Sequence, residues 1–179
     1  MPRLSFDAYE RRRLRKLARR CRGGSVLDLG YAHYPNPYFR GLLRVGLDRE
    51  APRGPVRYEE ELIGDVMEPA AALGDRRFDN IVAGELIEHL ERPYDFLRGL
   101  HRHLAPGGRL VLSTPNPVAW PCLLFEWMRS RRFYYAADHA FYLPPRWVER
   151  MLEDSGFVVA AVEGVGLLAP GLVLPCPAG

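Results

Sequence analysis

Lysine is almost absent from this chain. Lys16 is the only one, and arginine supplies every other member of the 25 Lys and Arg residues. A Schiff-base lysine or a phosphate-cradling P-loop lysine would have to be Lys16, and its neighbours resemble neither site. Cysteine is scarce as well. Cys21, Cys122 and Cys176 are odd in number, far apart and without a Cys-x-x-Cys pair, which argues against a disulfide framework or a zinc knuckle. No metal-ligand set is expected, and a reducing, cytoplasmic compartment fits best. No apolar run approaches the ~18 residues of a membrane span. The opening Met1-Pro-Arg-Leu-Ser-Phe-Asp7 lacks the apolar core of a signal peptide. The formal net charge of +3 is too small to call for nucleic acid by itself.

What is present is an ordinary globular mixture: 179 residues, 47% hydrophobic and 26% charged. That length predicts one domain able to bury its own core without staples. Residues 6–22 read as a basic helix ended by Gly23-Gly24, with Asp7 placed to cap it and Phe6, Leu14, Leu17, Ala18 and Cys21 as its apolar positions. This helix either covers a flank of the sheet or offers its arginines to RNA or an anionic membrane surface.

Short apolar strands then alternate with helical patterns. Strands are predicted at 25–30, 44–48, 60–65, 78–84, 109–113 and 157–162, with a seventh in the tail 165–174. Helices are predicted near 37–43, 68–74, after Pro93, at 119–130 and from Pro145, the last with Trp147, Val148, Met151 and Leu152 inward. The class is α/β: a doubly wound, Rossmann-like, mostly parallel sheet of six to seven strands with helices on both faces. Its segments would be the helix at 6–22, a ligand-binding core at 24–114, an aromatic lid at 115–143 and a closing helix with strands at 144–174.

The informative pattern is acidic. Asp28 lies in the first strand, Asp48 ends the second 20 residues later, Asp65 closes the third and Glu85 follows the fourth. In a doubly wound sheet such strand ends converge on one crevice. A carboxylate ending the second strand can accept both hydrogen bonds of a ribose diol.

The ordered set Val26-Leu-Asp-Leu-Gly30, Val45-Gly-Leu-Asp48, Gly64-Asp65, Phe78 to Leu90, Leu104 to Leu112, Ser113-Thr-Pro-Asn116, Asp138-His139 and Leu152-Glu-Asp-Ser-Gly-Phe157 resembles the class I S-adenosylmethionine-dependent methyltransferases, in particular the branch of ubiquinone-type O-methyltransferases. The resemblance runs from about residue 24 to 163. It implies S-adenosyl-L-methionine as cofactor, with Gly30 and the backbone after it beside the methionine part. Asp28 would orient the amino-acid end and Asp48 bind the ribose. Asp65 and Val66 would border the adenine, and Gly84 and Glu85 would line the sulfonium side.

One stretch departs from that family. Its first loop usually reads Asp-x-Gly-x-Gly-x-Gly, whereas here it is Asp28-Leu-Gly30-Tyr-Ala32-His-Tyr34, followed by Pro35-Asn-Pro37. Either the loop is rerouted, with Tyr31 or Tyr34 packed on the cofactor, or binding is weakened and the protein is a non-catalytic binder or regulator. For transfer to a hydroxyl, histidine is the natural base. His139, in an aromatic stretch after the fifth strand, is the first candidate, as a base or acceptor contact. His89 is the second: four residues after Glu85, it either faces the cleft or packs locally. His101 and His103 read as structural or solvated. The expected acceptor is a small molecule, a sugar or a lipid-linked compound, most naturally methylated at oxygen. Trp120 to Tyr142 would wall its pocket, and Arg129, Arg131 and Arg132 could receive an acidic group.

Overall fold

Side-chain alternation sets the layers. In β1 (Ser25–Leu29), Val26 enters one core while Leu27 and Leu29 enter the other. Val82 in β4 (Phe78–Gly84) and Val111 in β5 (Leu104–Pro115) repeat the division against Ile81 with Ala83 and Leu110 with Leu112. Strands apolar on both faces belong in the middle of a covered parallel sheet. The structure, a computed structural model, describes residues 6–127, 139–165 and 171–177. It contains such a sheet, in the order β3-β2-β1-β4-β5-β7-β6. The first five strands, including β2 (Leu43–Asp48) and β3 (Glu60–Ile63), are mutually parallel. β7 (Gly171–Pro177) runs antiparallel to β5, and β6 (Glu163–Gly164) antiparallel to β7.

The chain steps outward from β1 to β3, then returns to place β4 on the other side of β1. That reversal opens a crevice at the carboxyl ends of β1, β2 and β4. One face is covered by α2 (Pro69–Leu73), α3 (Pro93–Leu100) and α5 (Pro145–Asp154), which contribute Leu73, Phe96, Leu97, Leu100, Val148, Met151 and Leu152 to the core. The other is covered by α1 (Phe6–Arg20), whose Leu14 and Leu17 pack with Tyr31, Phe39 and Tyr58. α1 is tied to the far edge of the sheet: Lys16 Nζ donates to the Gly164 carbonyl at 2.7 Å, and Arg20 pairs with Glu163. α4 (Trp120–Trp127) leaves Trp127 80% exposed. Among the described residues, no helix is long and apolar enough to cross a membrane.

Several local expectations are corrected. No helix forms at 37–43. Pro35 and Pro37 have no N–H to give, the Asn36 side chain takes the Tyr38 N–H at 2.9 Å, and Leu43 already belongs to β2. No strand forms at 157–162: β7 occupies the edge of β5, and the chain reaches β7 only at β6, just past the expected span, through Glu163 and Gly164. β5 begins at Leu104, with an irregular register opposite Phe78 to Asn80, rather than at Arg109. Trp147 is 58% exposed, since the spacing of Val148, Met151 and Leu152 already fills the inner stripe of α5. Asp7 lies inside α1 instead of capping it. Of the expected lid, residues 128–138 lie outside the described residues, and with them Arg129, Arg131, Arg132, Phe133, Tyr134, Tyr135 and Asp138.

Candidate active site

A cavity of about 450 Å³ occupies the crevice, within the range of small-molecule sites. Its walls include Asp28, Gly30, Tyr31, Asp48, Gly84, Glu85 and His89 from the sequence-derived set. α1 contributes Glu10, Arg13, Leu14 and Leu17 to the same walls.

On the floor, Asp28 is buried and accepts a 2.6 Å hydrogen bond from the Tyr58 hydroxyl. Burial lifts its carboxyl to about 7; the Tyr58 bond and the Arg13 charge oppose the rise, and Asp48 adds to it. Asp48, at the end of β2, accepts the Ala32 N–H at 2.8 Å on Oδ2 and the Glu50 N–H at 3.2 Å on Oδ1. Each oxygen keeps a further lone pair, so the carboxylate can still accept from a ligand diol.

Opposite it, Glu85 stands on a left-handed residue at φ 52°, fixed by a 2.9 Å bond from its N–H to the Ser113 carbonyl. Among the described residues its Oε1 is enclosed without a hydrogen-bond partner. Burial raises this carboxyl to about 8, the neighbouring Glu88 adds to the rise, and Arg13 and Ser113 oppose it. Backbone strain with an unsatisfied buried acid points to a functional site.

Arg13 is the residue that sequence reading missed. It is buried, held by Glu10 at 2.6 Å and by the Ser113 hydroxyl at 3.2 Å. Burial disfavours its charge, but the Glu85 and Glu10 carboxylates more than restore it. The signal was available: Glu10, Arg13, Leu14 and Leu17 share one helical stripe, so two charges sit on the apolar face of α1. Arg11, Arg12, Arg15 and Arg19 face outward instead.

The histidines divide clearly. His101 Nε2 donates to the Ser155 carbonyl at 2.7 Å, and His103 Nδ1 to that of Arg76 at 3.0 Å, so both are structural. His89, ending a 3₁₀ turn (Ile87–His89) after Glu85, meets His139 edge to face, with ring centroids 4.7 Å apart. The chain after His139 is pinned to that turn by the N–H groups of Ala140 and Phe141, both donating to the Glu88 carbonyl. Ligand atoms of Glu88, His89 and His139 lie within 4.8 Å of one another, and the Thr114 hydroxyl orients Glu88 at 3.0 Å. Two imidazoles and a carboxylate so placed could hold a divalent ion.

Two predicted residues stand apart. Asp65 is on the same rim one strand further out, but its carboxylate pairs with Arg49 at 2.6 Å and accepts the Met67 N–H at 2.9 Å, which together hold it below the usual range. Val66 is buried in the core. Neither contributes to the cavity wall. Tyr31 lines the cavity, yet its ring turns away to stack on Tyr58 at 4.9 Å and to fill the space over Gly46, where a Cβ would lie 2.3 Å from the ring. Tyr34 lies half exposed at the mouth.

A family model described as a methyltransferase domain matches residues 4–162. The chain belongs to the class I S-adenosylmethionine-dependent methyltransferases. Over 93 residues it is 29% identical to the ubiquinone biosynthesis O-methyltransferase of Aeromonas salmonicida, a match covering 50% of this chain and 39% of that relative. The chain therefore matches well under half the length of this curated relative. Among solved structures it is similar to the 1,6-didemethyltoxoflavin-N1-methyltransferase of Burkholderia thailandensis, with TM-score 0.71, 18% identity, and coverage of 92% of this chain and 77% of that one. It is equally similar to the magnesium protoporphyrin IX methyltransferase of Synechocystis, with TM-score 0.71, 14% identity, and coverage of 100% and 90%. Both structures carry S-adenosylhomocysteine. Those likenesses establish the Rossmann-like methyltransferase fold.

The methyltransferase's own cavity fits the family's cofactor on physical grounds. Asp48 offers carboxylate oxygens to a diol, Asp28 offers an ionisable carboxyl to a cationic ligand, Glu85 offers a free acceptor oxygen, and Arg13 offers a guanidinium to a carboxylate. S-adenosylmethionine, when bound, supplies a methyl group already activated by the sulfonium charge.

Proposed function

We propose that this methyltransferase acts on a hydroxyl oxygen of a small-molecule, sugar or lipid-linked acceptor, with His89 and His139 on the acceptor side. The observation that carries this reading is the edge-to-face contact of His139 with His89, the latter on the wall of the cavity that Asp28, Asp48 and Glu85 also line. Asp48 holds the ribose, Asp28 and Arg13 the amino-acid end, and Gly84 with Glu85 the sulfonium side. Gly30 lets the chain turn at φ 68° and brings backbone beside the methionine part. Asp65 and Val66, just beyond β3 and outside the cavity wall, lie on the side toward which the adenine of a ribose held by Asp48 extends. Enclosure and alignment do most of the work, because the donor needs no further activation. Proton removal from the hydroxyl falls to His139, with His89 beside it.

Nucleic acid is not part of this reading, and a cytoplasmic setting is. The apolar stripe of α1 is spent on the core, so any contact of this helix with an anionic membrane surface would fall to Arg11, Arg12, Arg15 and Arg19. The test is transfer from labelled S-adenosylmethionine to a panel of phenolic, sugar and lipid-linked hydroxyl acceptors, with amines as controls. His139→Ala is expected to lower kcat by roughly 10²- to 10⁴-fold and to leave cofactor affinity within about twofold. An unchanged kcat removes His139 from proton transfer, and methylation confined to amines overturns the oxygen assignment.

A further inference from the structure

The loop from Gly30 to Tyr38 forms one wall of the cavity, yet it has no regular structure to hold it. Its inner end is fixed by Gly30 N–H to the Leu47 carbonyl at 3.0 Å and Ala32 N–H to Asp48 at 2.8 Å. Its outer end depends on Asn36 and Tyr58. The Asn36 N–H donates to the Tyr58 hydroxyl at 2.6 Å, and that hydroxyl donates in turn to Asp28 at 2.6 Å. The Asn36 side chain donates to the Leu14 carbonyl of α1 at 2.9 Å and accepts the Tyr38 N–H at 2.9 Å. Asn36 and Tyr58 are both buried, and the Tyr58 ring is clamped between the stacked Tyr31 ring and the Arg44 guanidinium, 5.4 Å from its centroid.

We propose that Tyr58 is a positioning residue for the cofactor, with Asn36 as its partner. One phenol oxygen joins three parts of the site: the loop, the Asp28 floor and, through Asn36, the α1 roof. Only a group that accepts and donates at the same atom can do this, and a phenol in a rigid ring does it with little entropy to lose. The Tyr58 hydrogen bond also favours the charged form of Asp28 against its burial. Tyr58 therefore sets both the shape of the wall and the charge beneath it. The titratable and charged groups that interact electrostatically with Asp28 are Tyr58, Arg13 from α1, Asp48 from β2, the Tyr31 hydroxyl and the Cys21 thiol. This inference rests on the reading of the cavity as the cofactor site.

The test is calorimetric titration of the full chain with S-adenosylhomocysteine between pH 5.5 and 9, for the wild type, Tyr58→Phe, Asn36→Ala and Asp48→Ala; these pH limits are approximate experimental settings, chosen about the Asp28 value of about 7. Tyr58→Phe keeps the stacked ring and is expected to raise Kd by roughly 10- to 100-fold. It should also move the rise of affinity with pH to higher pH, because Asp28 loses the bond that favours its ionisation. A purely structural role would not shift that midpoint. Asn36→Ala is expected to raise Kd less, by about 3- to 10-fold, and decides the matter if circular dichroism shows that Tyr58→Phe does not fold. Kd within twofold of wild type in the folded variants, or a weaker Kd with an unmoved midpoint for Tyr58→Phe, overturns the proposal. If Asp48→Ala also leaves Kd unchanged, it is the cavity reading that fails; if Asp48→Ala alone weakens binding, only the role of Tyr58 does.

Discussion

Replacing Asp48 with alanine is expected to weaken binding of S-adenosylhomocysteine by roughly 30- to 1000-fold, or about 2–4 kcal/mol. Two effects add. A ribose diol loses a charged acceptor, and each such bond is worth ~1.5–3 kcal/mol before rehydration of the free hydroxyls is counted. The variant also frees the Ala32 N–H, so the loop that walls the cavity loses one of its inner tethers. Asp48→Asn separates the two effects: it keeps an oxygen for the loop N–H while removing the charge, and its loss of affinity should be smaller. Isothermal titration calorimetry measures both variants, and an Asp48→Ala affinity within twofold of wild type would contradict the ribose assignment.

The second large effect concerns stability and runs opposite to binding. Burial raises the Asp28 carboxyl from its ordinary 3.8 to about 7 in the folded protein. Below about pH 3 both the folded and the unfolded chain hold the proton, and the group contributes nothing to the difference between them. As pH rises the unfolded chain ionises first, so the folded state loses stability through this group until pH passes about 7. The linkage cost above that pH is as much as roughly 4 kcal/mol. Asp28→Asn removes the titrating charge and can still accept from Tyr58. Urea unfolding at about pH 8 is therefore expected to show the variant more stable than wild type by ~1–4 kcal/mol, with the gain falling below about 1 kcal/mol near pH 4 and vanishing below about pH 3. Cofactor affinity should fall in the same variant. A variant no more stable than wild type at pH 8 would mean that the buried carboxylate carries no such cost. Stability is spent at this position to keep a charge facing the ligand.

How much of this was legible follows from the reach of each signal. Strands with continuous apolar runs, such as Ile81-Val82-Ala83 within β4, are readable because burial on both faces leaves no other solution. Acidic strand ends are readable because a parallel sheet brings its carboxyl ends together: Asp28, Asp48 and Glu85 do line one cavity. Asp65 was placed on the correct rim, but Arg49 engages it, and a partner 16 residues away leaves no local trace. The histidine pair was named residue by residue, while the meeting of His89 with His139, 50 positions later, depends on the pinning of Ala140 and Phe141 to the Glu88 carbonyl. Tyr58 and Asn36 escaped altogether. Their roles arise where the loop departs from the family pattern, and a phenol 30 residues from Asp28 carries no periodic or motif signal. Gly46 reads as an ordinary strand glycine until the Tyr31 ring is seen to occupy the place of its missing side chain.

The central claim is that acidic strand ends and the Tyr58-held loop enclose one adenosyl ligand beneath α1. A crystal structure of the chain with S-adenosylhomocysteine tests it most directly. The account predicts the ligand between Asp48 and Glu85, its ribose hydroxyls bonded to the Asp48 carboxylate, its amino-acid end between Asp28 and Arg13, and its sulfur turned toward the side where His89 meets His139. Density for the ligand outside this cavity, or within it but with the ribose away from Asp48, would contradict it.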